Sequence, residues 1–411
     1  MQTQRVASRM GKLGTETAFA VSLEAAKVAE TGKKVYPFHI GDLDFASPDF
    51  VVQSMNKAIA DGKTGYCAGA GILPLRKRLA EVLGEQRGVT YGPEHISVQS
   101  GGKPVITKFF SSVMEVGDEV LYPSPGYPIY ESQIQYLGGV LKPYTYIEKE
   151  DGFALDLDGL RSQITSKTKV LVYNNYQNPM GIASSDEEMA EIAKIAIEHD
   201  LLVLSDEAYF NILYDGVKGK SIVSLPGMYD RTVILYTYSK SWAMTGWRLG
   251  AAVGPQWIIN LINKLNTNDE SCTTHFIQWA GIECLTKEGE KYTAEVVSKL
   301  QERRDVLVEA MRKVPGFKCH SPPAAFYLFV NVTEAMEKLG LTNYEEFRRN
   351  ILDATGVAFC TREHFGASLP GETQKYVRFA YSGIGLKDIQ EACEQLKNFM
   401  EKVYKSETST A

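Results

Sequence analysis

The sequence predicts an α/β fold joined to a second, smaller α+β domain. Three observations predict it. Short apolar strand candidates alternate with amphipathic helix candidates through most of the chain. Those strands are runs of Val, Leu and Ile rather than alternating patterns, as strands buried on both faces of a parallel sheet are. The last third changes character, with one long charged helix followed by isolated strands.

The strands are expected at 95–100, 119–122, 168–173, 201–205 and 232–236. Between the third and fourth, residues 184–198 carry Asp186, Glu187 and Glu188 near the start, then Met189, Ile192, Ile195 and Ile197 as apolar positions. That is the pattern of a crossover helix with an acid-rich first turn. A charged helix is expected over 287–313, strands over 325–330 and 376–380, and helices over 343–354 and 386–403. The second domain is expected to begin near residue 295, with 35–40 joining it from the N-terminal side. The division predicted is an N-terminal arm (1–15), an N-terminal part of the small domain (16–48), a large domain (49–295) and a C-terminal small domain (296–411). Residues 405–411 read as a frayed tail.

Composition narrows the function. The 411 residues suggest two or three domains, and 44% hydrophobic with 23% charged residues is a globular balance. Lys plus Arg is 44 against 50 Asp plus Glu, a net charge of −6, which argues against a nucleic-acid binder. No apolar run is long enough for a membrane span, and the N-terminus lacks the apolar core of a secretory signal. Six scattered cysteines without a C-x-x-C read as free thiols of a cytoplasmic protein, which makes the sequon Asn331-Val-Thr333 a chance match. The six histidines show no metal-ligand spacing, and no metal is expected. No P-loop, H-E-x-x-H or G-x-S-x-G is present.

Chemistry gathers at the carboxyl ends of the strands, the edge where ligands bind in open α/β sheets. After 232–236 come Thr237, Ser239, Lys240 and Arg248. A desolvated Lys there would favour its neutral form, the form that attacks a carbonyl. Two hydroxyls and a guanidinium suit a phosphate dianion. A solvated strand-end Lys is the bland reading. Four apolar residues run into Asp206, with Tyr209 beyond. A buried carboxylate there needs a cation, such as a pyridinium nitrogen, unless it merely caps a helix. After 168–173 comes Asn174-Asn-Tyr-Gln-Asn178-Pro179-Met-Gly181, a turn by composition. Its Asn amide and Tyr209 could both reach a phenolate oxygen. Ser100-Gly101-Gly102-Lys103 precedes a helix start near Pro104, an anion cradle or a plain loop. Tyr127, in Ser124-Pro-Gly-Tyr127, could stack on a planar ring or simply pack. Each strand end is ambiguous alone; five in one sheet, each offering part of a phosphorylated pyridine site, are much less so.

These pieces resemble the fold-type I, pyridoxal-5′-phosphate-dependent aminotransferase family (class I/II), nearest to bacterial-type aspartate aminotransferases. The match covers about residues 15–400 in the family's order. Gly41-Asp-Leu-Asp-Phe45, Lys63-Thr-Gly-Tyr66 with Gly71-x-x-x-Leu75-Arg76, Ser205-Asp-Glu-Ala-Tyr209 and Ser239-Lys240…Gly246-Trp-Arg248-Leu-Gly250 carry it. Ala325-Phe-Tyr and Val377-Arg378-Phe-Ala-Tyr381-Ser complete it. The resemblance implies a mostly parallel seven-stranded sheet flanked by helices. It implies that Lys240 condenses with the cofactor aldehyde and then shuttles the substrate α-proton. Asp206 would pair with the ring nitrogen, while Asn178 and Tyr209 bind the ring's phenolate oxygen. Gly101, Gly102, Thr237, Ser239 and Arg248 would hold the phosphate, and Tyr127 would stack on the ring. Tyr66 would reach the phosphate of the neighbouring subunit in a homodimer. Arg378 and Gly41, with Asn178 nearby, would hold the substrate α-carboxylate, and Lys103 would contact cofactor or an acidic side chain.

Three departures bear on the substrate. Met180 stands within the N-P-x-G turn, Ala324 replaces a Gly, and Thr361-Arg362-Glu-His-Phe365-Gly366 puts Arg362 and His364 near the expected substrate mouth. The activity implied is ping-pong transfer of an amino group from an L-amino acid to a 2-oxo acid such as 2-oxoglutarate or pyruvate, with aspartate or a broad range of donors. A β-eliminating lyase or cyclopropane-forming synthase on the same scaffold is the first alternative. A ligand-sensing regulator is the second, but no helix-turn-helix or basic cluster precedes Gly41.

Overall fold

The computed structural model describes residues 6–14 and 18–408; the remainder of the expected arm and the last three residues of the expected tail lie outside them. Seven strands form one sheet in the order Ile96–Gln99, Gly250–Val253, Thr232–Thr237, Leu202–Asp206, Thr168–Tyr173, Glu119–Pro123, Val140–Tyr144. Six run parallel; Gly250–Val253 is antiparallel to both of its neighbours. The expected strands are all present. Two members of the sheet were not read as separate strands. Val140–Tyr144 contains Pro143 and occupies the edge, where a missing N–H is tolerated. Gly250-Ala-Ala-Val253 is made of small residues with little strand character, because the chain passes close to its neighbours. A Cβ on Gly250 would stand 2.7 Å from the Tyr236 carbonyl oxygen and 2.8 Å from the Gly101 carbonyl carbon.

Both faces of the sheet are covered, which explains the unbroken apolar runs. Val170 and Val172 pack with Ile106, Phe109 and Ile262 on one face. Leu171 pairs with the other face, beside Met189, Ile192 and Ile195 of helix Asp186–Glu198. Each such side chain contributes roughly 1.5–3 kcal/mol by leaving water. That helix starts where its acids stand: Ser185 Oγ accepts the Glu188 N–H at 3.1 Å and Glu188 accepts the Ser185 N–H at 2.9 Å.

Beneath the sheet edge, Arg87 Nε donates to Glu207 at 2.7 Å, with both side chains at 1% exposure or less. Ser205 and Ser221 also donate to that carboxylate. Arg87→Met would leave Glu207 buried without its cation and should destabilise the fold by about 3–5 kcal/mol in denaturant unfolding.

The C-terminal elements build an antiparallel sheet in the order Lys318–Cys319, Tyr327–Asn331, Tyr376–Ala380, Cys360–Thr361. Tyr36–Pro37 pairs in parallel with Val357–Ala358. Helices Tyr344–Thr355 and Leu386–Thr408 flank this layer. The second helix continues through residues 405–408, which were expected to fray. Position 295 falls inside one continuous helix, Lys287–Met311. The six cysteines are unpaired. Among the described residues, no helix is long and apolar enough to cross a membrane, and no group of three or more His, Cys, Asp or Glu is placed to hold a metal.

Candidate active site

A cavity of about 330 Å³ opens where the strand ends meet the C-terminal layer. The parallel strands deliver its floor. Thr232–Thr237 ends at Thr237 and leads to Ser239 and Lys240; Leu202–Asp206 ends at Asp206; Thr168–Tyr173 leads to Asn174 and Asn178. Gly102, Lys103, Tyr127, Tyr209 and Arg248 line the same space, and Gly41 and Arg378 close it from the other side. Gly101 stands just behind. Its φ is +96°, and a Cβ there would run into the Arg248 guanidinium, so only glycine lets that cation approach the loop. Tyr66 does not line this cavity and is 89% exposed.

Asp206 is buried, and burial pushes its carboxyl up to about 6. Hydrogen bonds from the Tyr130 hydroxyl and the Ala208 N–H, and the nearby Lys240 cation, pull the other way without offsetting burial. Such a carboxylate is completed by a cation within the cavity. Lys240 Nζ donates to the Gly41 carbonyl at 2.8 Å, reaching across from the sheet to the N-terminal segment. Burial, above all, drives the Tyr209 hydroxyl far above the ordinary phenol range, so it stays protonated; it lies 2.5 Å from the Tyr327 hydroxyl.

On the anion side, Thr237 Oγ1 donates to Ser239 Oγ at 2.9 Å, and Arg248 Nη1 donates to the Thr245 carbonyl at 2.9 Å. Two buried hydroxyls and a guanidinium thus flank the start of helix Lys103–Val113, whose free N–H groups favour negative charge. Across the cavity, the Arg378 guanidinium lies 4.5 Å from each of the Tyr327 and Phe365 rings. Nη1 donates to Asn178 at 2.9 Å and Nη2 to the His39 carbonyl at 2.8 Å, while buried Nε has no partner among the described residues.

Arg362 does not stand at the mouth as its sequence position suggested. It is buried and engaged by Glu372 at 2.6 Å, Ser124 Oγ at 2.9 Å and the Gly366 carbonyl at 2.9 Å. His364 does line the cavity, but not as a cation. Burial lowers its pKa, and its Nδ1 accepts the Thr361 N–H at 3.1 Å.

Among the lining residues that escaped sequence reasoning as site members, Asn174, Tyr327 and Tyr130 make the hydrogen bonds that shape the floor. Asn174 donates to the Asp206 carbonyl at 3.0 Å and accepts the Asn178 N–H at 3.1 Å, so it ties two strand ends together. Its position straight after an apolar strand was the available signal. Tyr327 lay within the Ala325-Phe-Tyr piece. Tyr130 had no signal: it sits inside helix Ile129–Tyr136, away from any strand end.

The architecture is that of the fold-type I transferases, with an amine, an acid and two anion-suited clusters around one cleft. An aspartate aminotransferase of Thermus thermophilus solved with maleate superposes with a TM-score of 0.88 at 29% identity, covering 96% of this chain and 99% of that one. A probable aspartate/prephenate aminotransferase of Aquifex aeolicus is 33% identical over 97% of this chain and 99% of its own length. An asparagine–oxo-acid transaminase of Streptococcus mutans is 32% identical over 97% and 100%. The chain belongs to the class I and II aminotransferases, a family that matches residues 33–396, and it is a transaminase.

Proposed function

We propose that the protein uses pyridoxal 5′-phosphate to move an amino group between an L-amino acid, aspartate among the donors, and a 2-oxo acid by a ping-pong mechanism. One observation carries the reading. A buried carboxylate, Asp206, shares a cavity with Lys240, and burial disfavours its charge until a cation between the walls completes it. The donor set fits the cofactor: Asp206 for a ring nitrogen, Asn178 and Tyr209 for a ring hydroxyl, and Gly101, Gly102, Thr237, Ser239 and Arg248 for a phosphate. Tyr127 supplies an aromatic face.

When bound, the cofactor supplies an electron-withdrawing ring that stabilises the charge left on the substrate α-carbon. Asp206 holds a proton-bearing ring nitrogen in place and keeps that withdrawal strong. Lys240 takes the α-proton and returns it one position away, acting as base and then acid. Arg378 orients the α-carboxylate, and Asn178 holds the guanidinium by accepting from it. Arg378→Lys loses the paired donors and should lower kcat/KM for amino acids about 10–100-fold, read from steady-state kinetics.

Lys103 is a cation lining the same cavity, which supports acidic donors; Arg362, being fully engaged, gives no support to basic ones. We assign the two-domain division given by the sequence, with helix Lys287–Met311 shared across the boundary. A homodimer in which exposed Tyr66 completes the neighbour's phosphate site is part of the same proposal, as is a cytoplasmic location, supported by the unpaired cysteines.

The test is a panel of donors and acceptors on the holoenzyme. With amino acid alone, absorbance should shift to that of the amine form of the cofactor, and a 2-oxo acid should reverse it. Release of ammonia and pyruvate without that shift would instead indicate elimination.

A further inference from the structure

We propose that the pair formed by buried Lys108 and half-buried Glu270 is a positioning device. It holds in register the Gly101–Gly102 loop and the segment that carries Tyr66. The inference rests on the reading of both as phosphate contacts.

Lys108 lies outside the cavity, on the helix that begins at its rim, Lys103–Val113. Its side chain is 5% exposed. An ammonium so buried is costly unless its three donors are met. They are met by Gln99 Oε1 at 3.2 Å, by Asn266 Oδ1 and by Glu270 Oε1, with Asp269 at 3.9 Å. The second oxygen of Glu270 accepts from Ser100 Oγ. Gln99 and Ser100 are the two residues ahead of Gly101, and the Gly101 N–H donates to the Gln99 carbonyl at 2.8 Å. Cation and carboxylate therefore grip both residues from which the loop springs.

The same set reaches the other segment. Asn266 is wholly buried, and its Nδ2 donates to the Gly69 carbonyl at 2.7 Å and the Val98 carbonyl at 3.2 Å. The Val98 N–H in turn donates to the Ala70 carbonyl at 2.9 Å. Residues 69 and 70 follow closely on Tyr66. Asn266 and Glu270 flank the end of one helix, Gln256–Asp269, so a single helix end anchors both segments. Burial works against the charge on Glu270, but the Lys108 and Ser100 hydrogen bonds outweigh it and hold the carboxyl below its ordinary value. Well-packed apolar residues could replace such a pair at little cost in stability. The polar set is accounted for by the geometry it fixes.

The experiment titrates apoprotein with pyridoxal 5′-phosphate and with pyridoxal, which lacks the phosphate, following visible absorbance. Lys108→Met should weaken the phosphorylated compound at least about tenfold and leave pyridoxal unchanged. Ser100→Ala keeps the Lys108–Glu270 pair and cuts only its link to the loop; it should show the same selective loss even if Lys108→Met fails to fold. Equal losses for both compounds, or none, would overturn the inference while leaving the cofactor reading intact. Wild-type protein that binds neither compound would overturn both. Combined with Tyr66→Phe, the Lys108→Met loss should be less than additive, since both loosen one grip. Full additivity would overturn the coupling of the two segments.

Discussion

Lys240→Ala should lower kcat by about 10⁴-fold and abolish the shifted visible absorbance of the holoenzyme. The magnitude follows from what the side chain does alone. It stands at the end of strand Thr232–Thr237 with its Nζ 2.8 Å from the Gly41 carbonyl, at the junction of the floor and the roof of the cavity. Lys103, the other amine lining the space, sits at the start of the neighbouring helix and not at this strand end. On the proposed function, removing Lys240 takes away the nucleophile and the proton carrier together, so no second residue limits the loss. Binding of the phosphorylated cofactor should persist through Arg248, Thr237 and Ser239, which a fluorescence titration can follow. Turnover at the wild-type rate would defeat the assignment.

Asp206→Asn should do two opposite things. Turnover should fall by about 10²–10³-fold, because a neutral amide does not hold the proton on a ring nitrogen. The apoprotein should become more stable at neutral pH. The rise of this carboxyl from its ordinary 3.8 to about 6 means that the folded state disfavours its ionised form, a cost on the order of 3 kcal/mol. The direction with pH is fixed. Below about pH 4 the acid is protonated in both folded and unfolded chains, and the cost is absent. It grows as pH rises toward the folded value and is constant above it. The stability advantage of the variant should therefore appear across that window and then level off. Asn fits because Tyr130, a hydroxyl, can accept as well as donate, and the Ala208 N–H can keep an oxygen partner. A variant less stable than wild type at pH 7 would show that burial does not dominate at this position.

The residues that were legible in the sequence share one property: they follow a buried parallel strand. Lys240, Asp206 and Asn178 could be placed at one sheet edge because four or five apolar residues announce each strand. Arg378 was legible for a related reason, as a cation in an otherwise apolar strand. What escaped lacks such a marker. Gly250–Val253 is a strand by neighbourhood rather than propensity, because its small residues yield to the backbones beside it. Tyr130 reaches Asp206 from within a helix, and no local pattern records that contact. Arg362 was misread because its partner, Glu372, stands ten residues on in an irregular stretch, and a charge looks free until its partner is placed. Lys108 carried no signal either. Among Ile106, Phe109 and Phe110 it reads as an outward lysine, and three acceptors from distant segments draw it inward.

The guanidinium of Arg378 has little freedom to turn. Tyr327 and Phe365 press on it at 4.5 Å, and Asn178 and the His39 carbonyl fix its edge. A flat, trigonal head group can lie edge-on to a fork held this way. A tetrahedral one can also offer two oxygens to the fork, but its remaining oxygen stands out of that plane, where the flanking rings crowd it, so amino sulfonates and amino phosphonates should bind more weakly although they carry the right sign of charge. Shape selection would then come from the aromatic walls and not from the donors of the fork.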